Sequence, residues 1–355
     1  MKTKLNLAIV SVIVIIVICI IGSSSINQIQ AKPVSYADSI FETCYDDDEC
    51  TIDKLYELSK NNSTETVFLT LDELIDLYVE SDFYCHPSAH HVGEFLFGYV
   101  NRDLQKAAEL SDHRCAAGIM HGLLENTIQI ENMLDGKSIE SVGIKESCEI
   151  VSSALGDEAK KECIHGMGHS LVKIYNYNTT KALERCNEFD DWSEIYMCNG
   201  GLFMQNMAEY AKKKGGDFKK SDIYYPCNQI NGTENKEAAT LCHRYQANYF
   251  LIQTDYNLQE TYSLCSGIED TRYIAICYKG VAAHLTKDSF DAVDKALLMC
   301  NSTPLKYQEQ CVIGAIESLT RFVSDQKAEE FCNGLDNSLK KSCQSRMKSL
   351  VDSRF

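Results

Sequence analysis

The chain is poor in proline, with four in 355 residues. A sandwich or barrel of many short strands needs frequent turn residues, so that class is disfavoured. The long stretches rich in Leu, Ala, Lys and Glu point instead to an all-α protein. Clustered basic charge is also missing. The formal net charge is −17 and the lysines and arginines are scattered, whereas a nucleic-acid binder needs a basic stripe to displace counterions from phosphates. No nucleic-acid partner is expected. There is no Gly-x-Ser-x-Gly elbow, phosphate loop, Gly-x-Gly-x-x-Gly or Cys-x-x-Cys-His, which sets aside the chemistries those motifs carry.

Long apolar runs are absent except for one at the start. Lys2 and Lys4 precede Leu7–Ile21, which only Ser11 interrupts, and Gly22-Ser23-Ser24-Ser25 follows. Two readings stand for residues 1–25: a cleaved signal peptide or a retained signal anchor. In both, the lysines keep the start inside and the body is exported. Its expected place is the outer face of the cytoplasmic membrane, the cell surface or the medium. Membrane contact follows if the segment is uncleaved, and an envelope or extracellular protein is the expected partner. Of seventeen cysteines, Cys19 lies in the apolar run and sixteen remain for the body, an even number suited to disulfides in an oxidising compartment. Sequons at Asn61, Asn62, Asn178, Asn231 and Asn301 are compatible with a glycoprotein. Residues 26–66 read as a polar stem with a small disulfide loop, Cys44–Cys50, around an acidic knot that lacks calcium-loop spacing.

From residue 67 to 355 the helical period takes over. One pattern closes a helix: Lys181-Ala-Leu-Glu-Arg-Cys186, Lys295-Ala-Leu-Leu-Met-Cys300, Lys327-Ala-Glu-Glu-Phe-Cys332 and, more loosely, Glu260-Thr-Tyr-Ser-Leu-Cys265. Another cysteine then opens the next helix, and these openers recur every 32 to 44 residues, the period of stacked helical hairpins. The resulting pairs are Cys148/Cys163, Cys186/Cys198, Cys227/Cys242, Cys265/Cys277, Cys300/Cys311 and Cys332/Cys343. Lys106-Ala-Ala-Glu-Leu-Ser111 has serine where the closing cysteine belongs, which leaves Cys85 to pair with Cys115. Each bridge closes a short loop and contributes roughly 3 kcal/mol in the chain-entropy model. A glycine three residues after an opener, as in Gly118, Gly166, Gly201, Gly280 and Gly314, removes a side chain where helices approach closely.

The expected architecture is an α/α solenoid of stacked helical hairpins stapled by disulfides. On its Lys-Ala-x-x-x-Cys helix ends and its repeat length, the chain resembles the disulfide-bridged Sel1-like and tetratricopeptide class. That resemblance implies a binding scaffold.

Seven of the nine histidines lie between His86 and His169. His91, His121 and His169 each stand six residues after an opening cysteine, and Met204 holds that place in the next unit. Neighbours four apart on a helix share a face, which adds His86/His90, His90/Glu94, His121/Glu125 and His165/His169. Two histidines so spaced can chelate one ion, and neutral imidazole suits zinc, copper or iron. The candidate metal residues are His86, His90, His91, Glu94, His121, Glu125, His165 and His169, with Glu94 and Glu125 as ligands, orienters or general bases. Three functions remain open: transition-metal binding, an extracellular structural or interaction scaffold without metal, and a metal-dependent hydrolase or redox enzyme.

Overall fold

Apolar residues three and four apart recur along most of the chain, and the stretches that carry them are helices. A computed structural model describes residues 35–44, 47–80, 86–111, 115, 117–125, 143–213, 215–287 and 292–352. Among these the chain is all-α, with an isolated bridge between Lys219 and Asp222 as its only extended pairing. The first helices are α1 (Tyr36–Cys44), α2 (Asp48–Asn61), α3 (Thr64–Glu80), α4 (His86–Tyr99), α5 (Leu104–Glu109) and α6 (residues 117–125). Next come α7 (Ile144–Leu155), α8 (Asp157–Ile174), α9 (Thr179–Cys186), α10 (Trp192–Ala211), α11 (Lys236–Gln253) and α12 (Leu258–Ser266). The last are α13 (Ile274–Leu285), α14 (Ala292–Ser302), α15 (Gln308–Ser318), α16 (Asp325–Gly334) and α17 (Asn337–Asp352). A π-helical turn, Leu319–Val323, carries α15 on towards α16.

Short polar side chains start many of these helices by accepting a first-turn N–H. Asp103, Asn178, Asp191, Asn235, Asn257 and Ser324 all do so. Seven disulfides join Cys44–Cys50, Cys148–Cys163, Cys186–Cys198, Cys227–Cys242, Cys265–Cys277, Cys300–Cys311 and Cys332–Cys343. They are the pairs expected from the spacing, and such a set belongs to an oxidising compartment. Cys115 is also disulfide-bonded, while its expected partner Cys85 lies outside the described residues.

The cysteine-opened helices form a row. α8 packs on α10, α10 on α11, α11 on α13, α13 on α15 and α15 on α17, an order compatible with stacked hairpins. The recurrent glycine sets their closeness. A methyl at Gly201 would meet the carbonyl oxygen of His165, one at Gly280 that of Arg244, and one at Gly314 that of Lys279. Each acceptor residue stands two places after the opening cysteine of its own helix, so one register repeats along the row. The row also curls. Arg321, in the π-helical turn, reaches Glu162 at 3.4 Å, and Phe322 lies 6.1 Å from His86 between ring centroids. The last third of the chain therefore touches the first.

Two sequence expectations meet this architecture differently. Residues 26–66, read as a stem, form helices over Tyr36–Cys44 and Asp48–Asn61 and the start of Thr64–Glu80, and Ala37, Ile40, Leu55 and Leu58 are buried. α1 packs on α3 and α2 on α4, with Phe41 5.4 Å from Tyr78 and Tyr56 5.0 Å from Phe95 between ring centroids. Their apolar stripe is thin and diluted by Asp, Glu and Lys, so composition hid it. The run Leu7–Ile21 lies outside the described residues. Among the described ones, no helix is long and apolar enough to cross a membrane.

Candidate metal centre

Three helices each bring one i,i+4 pair to a common point: His86 and His90 from α4, His121 and Glu125 from α6, and His165 and His169 from α8. Close backbone approach makes this possible. A methyl on Gly122 would strike the carbonyl of His90, and one on Gly118 would stand 2.6 Å from the carbonyl oxygen of His86. At Gly200 it would come within 3.3 Å of His165 Nδ1. The rings lie 4.8 Å (His86/His90), 5.1 Å (His86/His121), 5.3 Å (His90/His169), 4.9 Å (His121/His165) and 5.0 Å (His165/His169) apart between centroids. Three sets offer ligand atoms within 4.8 Å of one another: His86/His90/His121, His121/His165/His169 and His90/Glu125/His169. These groups could hold a metal ion. His86, His121, Glu125, His165 and His169 are buried, His121 completely.

The tautomers follow from the acceptors outside the cluster. His86 Nδ1–H donates to the Cys115 carbonyl at 2.8 Å and His165 Nδ1–H to the Met197 carbonyl at 3.2 Å. His90 Nδ1–H donates to Glu125 at 3.0 Å. His169 Nδ1–H donates to Gln205 Oε1 at 2.8 Å, and the Gln205 amide is held in that orientation because its Nε2 donates to Glu209 at 2.8 Å. His121 is reversed, its Nε2–H donating to Glu162 at 3.2 Å. Each imidazole thus spends its N–H on the surrounding shell and keeps a lone pair for the centre. Nδ1 of His121 and Nε2 of His165 and His169 are buried with no hydrogen-bond partner. Nε2 of His86 and His90 face each other at 3.2 Å.

Electrostatics keeps the lone pairs of His86, His90, His121 and His165 free of protons. Burial, and then the neighbouring histidines, pushes His86, His121 and His165 well below the usual imidazole range. Burial also lowers His90, against the opposing pull of Glu125. Burial alone would raise Glu125. His90, Lys173 and the hydrogen bonds from His169 and His90 outweigh it, so the carboxyl sits well below its ordinary value. Lys173 Nζ is 2.6 Å from the Glu125 carboxylate. The centre is a buried nest of imidazole donors with one carboxylate behind it, which suits borderline divalent ions that favour nitrogen.

Six of the eight sequence-derived candidates therefore converge, and two do not. His91 Nδ1 lies 3.9 Å from Glu94 Oε2 in a more exposed place, and neither joins a potential ligand set among the described residues. His91 was expected from its count after Cys85. The glycine contacts show that the α4 register is one residue shorter: Gly118 abuts His86 as Gly201 abuts His165, so His90 is the counterpart of His169. One residue turns a helix by about 100°, which moves His91 off the face. Likewise Gln205, not its neighbour Met204, meets His169. The supporting residues Glu162, Lys173, Gln205 and Arg321 were not foreseen. Lys173, four after His169, and Glu162, three before His165, carried a helical signal.

The later repeats use the same row differently. Arg244 and Lys279, at the register of His165, bind Glu317 at 3.1 and 2.8 Å, and Arg346 joins at 3.2 Å. An ionic cluster stands there where the early helices carry histidine. No protein-family model, curated protein or solved structure matches this chain.

Proposed function

We propose that this is an exported or membrane-anchored α-helical repeat protein that binds a transition-metal cation through its early histidines, for storage or delivery. The observation that carries the reading is the shared polarity of the five imidazoles. Every ring gives its N–H to an outer acceptor and turns a lone pair inward, and three of those inward nitrogens are buried without partners. A packed row of structural histidines would spend those nitrogens on backbone groups, because buried polar atoms without partners cost free energy. The core ligands are His121, His165 and His169, with His86, His90 and Glu125 beside them. Zinc, copper and iron all suit the donor set. Export rests on the lysine-flanked apolar run and on the disulfides, which need an oxidising compartment.

The enzyme reading is less favoured because, of its two candidate general bases, Glu125 is already engaged by Lys173, His90 and His169, and Glu94 lies by His91 outside the ligand sets of the described residues. Metal analysis of protein purified from its native host without chelators tests the binding reading. The native chain is expected to carry a transition metal, His165→Ala and His169→Ala to carry less of it while keeping their helicity, and His91→Ala to retain the native amount. A metal-free native protein that takes up zinc, copper and iron only weakly would leave the scaffold reading in its place.

A further inference from the structure

The nest is larger than one ion needs. Two nitrogens that share a cation at roughly 2.1 Å, as imidazole shares zinc, lie near 3.2 Å apart when the angle at the metal is about 100°. Nε2 of His86 and Nε2 of His90 are 3.2 Å apart. With both Nδ1–H groups given to outer acceptors, the Cys115 carbonyl and the Glu125 carboxylate, the two Nε2 atoms turn lone pairs toward each other. A cation between the two Nε2 atoms removes that conflict and leaves both outer hydrogen bonds intact. The pair shares His121 with the set His121/His165/His169, and His90 also falls in the set His90/Glu125/His169, where its Nδ1 is already taken by Glu125. The single inward nitrogen of His121 is Nδ1, because Nε2 is held by Glu162.

We infer that the centre binds two transition-metal cations, one at His121, His165 and His169 and the second chelated by His86 and His90. This rests on the metal-binding reading and adds to it the stoichiometry and the division of ligands. Glu125 couples the two subsites. Its Oε1 lies 3.0 Å from Nδ1 of His90 and 3.5 Å from Nδ1 of His169, so one carboxylate orients a ligand of each.

The test is a cobalt(II) and zinc titration of the full-length, oxidised, chelator-stripped chain, with bound metal counted after gel filtration. Two equivalents are expected for the native protein. His86→Gln and His90→Gln, singly and together, should each leave one equivalent and spare the cobalt spectrum of the remaining site. His165→Gln should also leave one equivalent, with a different spectrum. Helicity and peptide-mapped disulfides identify variants that fold, and the Gln pair at α4 stands if the α8 variant does not. A native chain that binds one equivalent overturns the two-cation inference while the metal-binding function stands. A chain that binds none overturns the function itself. Retention of two equivalents by the folded His86→Gln/His90→Gln variant also overturns the inference.

Discussion

Gly200 and Gly201 are adjacent on α10, and the structure assigns them opposite responses to one added methyl group. A Cβ at 201 would stand 2.9 Å from the carbonyl carbon of His165 and 3.0 Å from Cδ2 of His169, and closer still to the His165 carbonyl oxygen. Those are backbone and ring atoms of a packed helix, so α8 and α10 must part. Overpacking of this kind costs about 1–3 kcal/mol, and a rigid obstacle places it at the upper end. Alanine returns about 1 kcal/mol of helix propensity, so Gly201→Ala should lose about 2 kcal/mol net. At 200 the methyl would meet only His165 Nδ1 and Cε1, at 3.3 and 3.4 Å, which a small ring adjustment relieves. The propensity gain then leaves Gly200→Ala neutral or slightly more stable, within ~1 kcal/mol. The assay is guanidinium unfolding of oxidised, chelator-treated protein, followed by far-ultraviolet circular dichroism. A Gly201→Ala variant as stable as the native chain, or an equal loss at both positions, would refute the close approach and with it the geometry that aims His165 and His169.

His243 is buried, stacked on Tyr273 at 4.7 Å between centroids, and pushed down to about 4 by burial. The unfolded chain therefore binds the extra proton between pH 6.5 and about 4, so this group's contribution is intact above 6.5 and is lost as pH falls through that window; the full gap, at ~1.4 kcal/mol per pH unit, is about 3 kcal/mol. His243→Leu should flatten that part of the stability–pH curve of chelator-treated protein, and an unchanged difference between pH 7 and pH 4.5 would count against it. Fused to a reporter active only outside the cytosol, residues 1–40 should give activity; cytosolic activity would remove the export argument.

What was legible in the sequence was local. Closing and opening cysteines stand 11 to 15 residues apart, so chain geometry leaves little choice of partner and the pairs could be read by eye. The i,i+4 pairs His86/His90, His121/Glu125 and His165/His169 were legible for the same reason, because helical period alone puts both members on one face. The choice of His90 over His91 was not. It depends on how α4 is seated against α6, a one-residue register that only the contacts at Gly118 and Gly122 reveal. The helices of residues 36–61 were hidden because their few apolar residues become a face only when α3 and α4 receive them. Arg321 and Phe322 stand more than 150 positions from Glu162 and more than 200 from His86. Their meeting depends on how the intervening helices pack on one another, which no stretch of sequence states and only the assembled row decides.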